Sequence, residues 1–206
     1  MKLLIAIPTL DFMHYRFVES LTKLICKLSE DGIDFKVEYK SGTLVYHARE
    51  KLATMAWQEG FTHVLWFDAD MVFTEDIFDD LIFHDKDFVS GICHGRRAPY
   101  SSCLFSSIEP IQRLSLAEYP DRLFSVAASG FGCVLMKTEV LLAVKEKFGV
   151  CFMPTAALGE DLAFCNRAAK CGYTMWADPA VRLGHIGHIE IWPEDEQKLA
   201  EGLHHY

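Results

Sequence analysis

Two aspartates one residue apart, Asp68 and Asp70, follow the apolar run Val64-Leu65-Trp66-Phe67. A strand that is apolar on both faces is buried in a sheet covered on both sides, and ligands of open α/β sheets bind at the carboxyl ends of such strands. The chain is expected to turn between the two acids and give them different tasks. One would hold a metal ion while the other accepts hydrogen bonds from hydroxyls. The competing reading is a polar turn leading into the next helix, with Thr74 and Glu75 as caps.

A second pair of acids, Glu160 and Asp161, follows Gly159 at the start of an amphipathic stretch carrying Leu162, Phe164 and Cys165. Acids favour helix N-termini through the macrodipole alone. The same position would keep Asp161 ionised and preorganised as a base, at the cost of lowering its pKa and weakening it as a proton acceptor. A third signal is Gly184-His185-Ile186-Gly187-His188, in which a histidine beside glycines can complete a cation site with Asp70. His185 is the first choice and His188 the fallback. Arg96 and Arg97 follow another strand and can neutralise phosphate or hold an anionic acceptor, although exposed arginine pairs are usually solvated charge.

These residues need a frame to converge. Lys2 to Ile7 has the length and apolarity of a buried strand, and Phe12 to Leu28 spaces Phe17, Leu21, Leu24, Ile25 and Leu28 at helical intervals. A strand at Asp34 to Tyr39, a helix from Leu44 to Gln58 ended by Gly60, and a strand at His63 to Phe67 follow. This repeated β-α-β order implies parallel pairing. A helix from Glu75 to Phe83 precedes a strand at Phe88 to Ile92, and Cys93 to Pro120 reads as loop, with Pro99, Pro110 and Pro120. Strands at Leu123 to Ala128 and Gly132 to Lys137 make the sheet mixed. Helices at Thr138 to Phe148 and Gly159 to Lys170, a last strand at Tyr173 to Ala177 and a polar tail complete the chain.

Composition narrows the classes. The 206 residues, 50% hydrophobic, suit one α/β domain. Twenty basic against 29 acidic residues give a net charge of −9, which disfavours nucleic acid as a partner without excluding it as an acceptor. Seven cysteines without C-x-x-C spacing read as reduced thiols of a cytoplasmic protein. The apolar start is cut short by Pro8 and Asp11, so it reads as a first strand and not a signal peptide. No run approaches the roughly 20 apolar residues that cross a bilayer.

Ile7-Pro8-Thr9 after the first strand, Ala48-Arg49 in the second helix, Asp68-Ala69-Asp70, Gly159-Glu160-Asp161 and His185 occur in the order found in GT-A glycosyltransferases. Across nearly the whole chain the pattern resembles family 2 and its relatives. The resemblance implies a Rossmann-like α/β fold with a mostly parallel mixed sheet flanked by helices. It implies one domain over 1–186, with a nucleotide-binding half at 1–92, an acceptor and catalytic half at 93–186, and a C-terminal tail at 187–206.

By the same resemblance Pro8, Thr9 and Arg49 bind the nucleotide of a nucleotide-sugar donor, Asp68 meets the ribose or sugar, and Gly130 and Gly132 offer backbone near the transferred sugar. Asp70 and His185 ligate the metal, Asp161 is the base of an inverting transfer, and Glu160 holds hydroxyls. An imidazole beside a carboxylate shifts the expected ion from Mg²⁺ towards Mn²⁺. At the end of the second strand, where many relatives carry an acid for the donor's nucleobase, this chain has Tyr39-Lys40-Ser41. The alternatives are a phosphatase of the haloacid-dehalogenase type, whose Asp-x-Asp-x-[Thr/Val] pattern Val72 satisfies, and a non-catalytic nucleotide-sugar-binding module with Trp57, Trp66, Trp176 and Trp192 as stacking surfaces.

Overall fold

The computed structural model describes residues 1–187, 190 and 191, except for 11, 43, 98, 116 and 118. The first strand, β1 (Lys2–Thr9), leads into α1 (Tyr15–Glu30), then β2 (Asp34–Ser41), α2 (Val45–Gln58) and β3 (His63–Phe67). A two-residue strand β4 (Met71–Val72), α3 (Ile77–Ile82) and β5 (Phe88–Ile92) follow. The middle of the chain supplies β6 (Leu104–Ile108), β7 (Ile111–Arg113), β8 (Phe124–Val126), β9 (Ala128–Ser129) and β10 (Cys133–Lys137). The last elements are α4 (Thr138–Phe148), α5 (Glu160–Lys170), β11 (Met175–Arg182), β12 (Gly184–Ile186) and β13 (Glu190–Ile191).

The main sheet has seven strands in the order β2-β1-β3-β10-β5-β11-β8. β1 pairs in parallel with β2 and β3, and β5 with β11, whereas β10 runs antiparallel to both its neighbours and β8 antiparallel to β11. The sheet is therefore mixed and mostly parallel, as expected. Because β10 lies between β3 and β5, the two halves of the chain interleave in one sheet.

Alternation along each strand divides the core into two layers. Leu4, Val64, Trp66, Phe88, Val134 and Met136 face α2, α4 and α5. Leu3, Ile5, Leu65, Phe67, Val89 and Leu135 face α1 and α3. On α2 the buried positions are Ala48, Arg49, Leu52, Ala53 and Ala56, so helical spacing puts one charged residue at the end of an apolar stripe.

Several boundaries differ from the expectation. Helix α1 begins at Tyr15, with His14 Nδ1 accepting the Arg16 N–H at 3.2 Å, because Phe12 is 90% exposed and packs on no core. The segment expected to be loop contains the hairpin β6–β7, whose short strands show too little alternation to be read. Helix α4 has no side-chain N-cap hydrogen bond and instead closes on Gly149 in the left-handed region.

The final strand runs on to Arg182, past a register shift opposite β5. Beyond it β12 pairs antiparallel with β4 and with β13, whose two residues belong to the segment expected as a tail at 187–206. His188 and Trp192 lie outside the described residues.

One long-range tether was missed. Glu50 Oε1 accepts the N–H groups of Cys151 at 2.6 Å and Phe152 at 2.5 Å, and Arg167 donates to the carbonyls of Cys151 at 2.9 Å and Met153 at 2.6 Å. The segment before α5 is thereby clamped, which seats Phe152 stacked on Phe164 at 4.7 Å and edge-on to Trp66 at 5.2 Å. Removing the Glu50 carboxylate strands two backbone donors. The Glu50→Ala protein should therefore lose about 1–3 kcal/mol of stability in urea denaturation.

Candidate active site

The carboxyl ends of β1 and β3 open into a cleft of about 820 Å³. Its walls include Pro8 and Thr9 from β1, Arg49 from α2, Asp68, Ala69 and Asp70 after β3, Glu160 and Asp161 opening α5, and His185 from β12. Residues separated by up to 177 positions in sequence are thus brought to one place. Of the expected site residues only Gly130 and Gly132, and His188 outside the described residues, are not among those walls.

The chain turns at the Asp-Ala-Asp segment. Met71 N–H donates to the Asp68 carbonyl at 3.3 Å, Asp68 N–H donates to the Gly132 carbonyl at 3.3 Å, and Ile186 N–H donates to the Asp70 carbonyl at 2.8 Å. The two carboxylates then face different partners. Asp68 Oδ1 accepts from Arg49 Nη2 at 2.8 Å, while Asp70 Oδ2 pairs with Arg96 and stands 3.4 Å from His185 Nε2.

Arg49 is 1% exposed and lies 5.0 Å over the Phe131 ring. The same Nη2 that holds Asp68 reaches Asp161 Oδ1 at 3.5 Å, so one buried guanidinium lies between two carboxylates from different elements. Its Nε and Nη1 have no hydrogen-bond partner. Opposite charges raise the Arg49 pKa despite its burial, and it stays protonated. Phe131 was not foreseen; its only signal was an aromatic residue set between two glycines.

Asp161 corrects one electrostatic expectation. Its helix N-terminal position was expected to lower its pKa, but burial, opposed by Arg49 and reinforced by Glu160 and Asp68, pushes it up to about 7. Its Oδ2 accepts the Phe131 N–H at 3.3 Å. Burial together with Asp70 also raises Asp68 against the pull of Arg49. At Asp70 burial acts upward too, but the His185 hydrogen bond and the charges of His185 and Arg96 outweigh it, and its pKa falls.

His185 is oriented by its other nitrogen: Nδ1 lies 2.7 Å from the His94 carbonyl. A carbonyl only accepts, so Nδ1 carries a proton and Nε2 faces Asp70. This is the arrangement that prepares an imidazole to ligate a cation. Among the described residues no group of three or more His, Cys, Asp or Glu forms a self-sufficient metal cage. One carboxylate and one imidazole fit an ion that takes its remaining ligands from substrate phosphates and water.

Gly130 and Gly132 act behind the cleft. A Cβ on Gly132 would come within 2.9 Å of Met71 Cε and 3.0 Å of Cys93 Sγ, and one on Gly130 within 3.2 Å of Cys103 Cβ. The two glycines thus let the chain pass close to Met71, Cys93 and Cys103. Sequence reasoning also missed Leu10, Phe12, His14 and Val45, which form the cleft wall beyond β1 and β2. The tryptophans read as stacking surfaces do not line the cleft among the described residues, and Trp66 is fully buried in the core.

No family model and no curated protein sequence matches the chain. The narrower resemblance to family 2 therefore rests on motif order. Solved structures do match. A197 from STIV superposes with a TM-score of 0.66 at 18% identity, over 94% of this chain and 91% of that one. GalNAc-T7, crystallised with UDP, GalNAc and Mn²⁺, gives 0.59 at 13% identity, over 98% of this chain and 48% of that one. The catalytic domain of Drosophila beta1,4galactosyltransferase 7, in complex with xylobiose, gives 0.51 at 12% identity, over 86% and 64%. The chain thus spans about half of the first of these glycosyltransferases and under two thirds of the second. At these identities the likeness is one of fold, and with the strand order and the cleft it identifies this chain as a GT-A-fold protein.

Proposed function

We propose that this protein transfers a sugar from a nucleotide-sugar donor to an acceptor hydroxyl, using a divalent cation, Mn²⁺ in preference to Mg²⁺. The observation that carries this reading is the convergence of Asp68, Asp70, Arg49, Asp161 and His185 on one cleft at the carboxyl ends of the sheet. The GT-A fold supports it. GalNAc-T7 was crystallised with UDP, which makes UDP-linked sugars the first donors to test here. The neighbours lend no support to the phosphatase alternative.

In this mechanism Pro8, Thr9 and the wall beyond them receive the nucleotide, and Asp68, held by Arg49, accepts hydrogen bonds from the ribose or sugar. Asp70 and His185 would hold the cation, which would supply positive charge to offset the charge that builds on the diphosphate leaving group. The acceptor oxygen forms a bond to the anomeric carbon as the bond from that carbon to the diphosphate oxygen breaks. Asp161 takes the acceptor proton, and Glu160 holds hydroxyls beside it. Attack on the face opposite the diphosphate inverts the anomeric centre.

A carboxylate that titrates near 7 is matched to this task, because a base is most effective when its pKa lies near the working pH. Cytoplasmic residence is part of the same proposal and rests on the seven free thiols. Among the described residues no helix is long and apolar enough to cross a membrane.

Calorimetric titration with UDP-, GDP-, CMP- and TDP-sugars in Mn²⁺ or EDTA should give metal-dependent binding of one class, lost in Asp70→Ala and His185→Ala. No binding to any of them would remove the glycosyltransferase reading. Binding without release of nucleotide would favour the non-catalytic module instead.

The base is tested by pH. Asp161 must be ionised to accept a proton, so kcat should rise as pH passes through about 7 and level off above it. Asp161→Asn should bind donor with little change and lose transfer by on the order of a hundredfold or more. Unchanged turnover in that protein would remove Asp161 from the role.

A further inference from the structure

Arg96 sits in the cleft wall, half-exposed, on a tight hairpin that leaves β5 and returns to β6. Gly95 N–H donates to the Ser101 carbonyl at 2.9 Å, Tyr100 N–H to the Arg97 carbonyl at 2.8 Å and Cys103 N–H to the Cys93 carbonyl at 3.1 Å. His94, two residues before Arg96, is buried, and its carbonyl is the group that orients His185. The hairpin therefore carries Arg96 on the same support as the imidazole. The guanidinium pairs with Asp70 Oδ2, the oxygen that His185 Nε2 also faces.

We propose that Arg96 competes with the divalent cation for Asp70 and, when donor enters, moves onto its diphosphate, so that cation and diphosphate bind as a coupled pair. This rests on the donor and cation reading above and adds a residue and an order to it. A dication at Asp70 and a guanidinium on the same oxygen repel each other, so one must leave. Arg96 has somewhere to go. A guanidinium presents a planar fork of donors that matches phosphate oxygens, and a diphosphate brings the negative charge that compensates both cations.

Arg49, which lines the cleft together with Arg96 and Arg97, cannot do this, because it is buried and holds Asp68. The Arg96–Asp70 pair is partly exposed, and such pairs shift an equilibrium by up to about fivefold. That is weak enough to be displaced and strong enough to measure.

The test is Mn²⁺ titration of wild type and Arg96→Gln, each without nucleotide and with saturating UDP, after thermal unfolding has shown both to be folded. Without nucleotide, Arg96→Gln should bind Mn²⁺ about three- to fivefold more tightly. The gain in Mn²⁺ affinity that UDP confers on wild type should shrink in the variant by up to about the same three- to fivefold, because relief of that competition is what Arg96 adds to it. Equal Mn²⁺ affinity without nucleotide overturns the competition. Tighter binding with an unchanged UDP-dependent gain overturns the transfer to diphosphate. If wild type binds no Mn²⁺ even with UDP, the cation and donor reading fails first, and this inference falls with it.

Discussion

A single buried cation organises the cleft. Arg49 brings its charge into the interior at a desolvation cost of several kcal/mol, and only close carboxylates offset such a cost. It has two, Asp68 from the turn after β3 and Asp161 from the first turn of α5. Remove the guanidinium and two carboxylates would face each other across a half-buried gap. The position of α5 relative to the central strands is thus tied to the electrostatics of one side chain, which the Phe131 ring supports from below.

The rest of the scaffold serves that arrangement at short range. Phe131 meets Trp66, Phe152 and Phe164 with edge-on rings, so the aromatic layer beneath α5 continues into β3. Glu50, next to Arg49 on α2, captures the backbone ahead of α5. Adjacent residues on one helix therefore hold α5 through a charge at its start and through two hydrogen bonds to the segment before it. On the other side of the cleft, pairing of β12 with β4 brings His185 to Asp70, and the His94 carbonyl fixes the imidazole. The acids of the turn are held by different neighbours, which is why their pKa values move in opposite directions.

Much of this was legible in the chain. The apolar runs at 2–7, 63–67 and 88–92 became central strands, since a strand apolar on both faces must be covered on both. Asp68 and Asp70 could be placed at a carboxyl end because the run before them could only be such a strand. The expectation for Asp161 went the wrong way. Helix position is visible in sequence, whereas burial is not, and burial is the larger effect. Gly130 and Gly132 were expected as backbone near the transferred sugar; their close packing on Cys103, Met71 and Cys93 is a property of the folded chain that the sequence did not display. The β6–β7 hairpin and the pairing of β12 with β4 escaped notice because strands of two to five residues carry too few alternations to register.

The amino-acid sequence by itself determined the order of the main strands and helices, the mixed sheet and the acids that end the third strand, because local apolar periodicity is a property of the chain. Only the tertiary structure decided that Arg49 would lie between Asp68 and Asp161, that the His94 carbonyl would turn His185 towards Asp70, and that Arg96 would share the Asp70 oxygen. Those are contacts between segments tens to more than a hundred residues apart. Their energies depend on distance and desolvation, and neither quantity exists until the chain has closed around them.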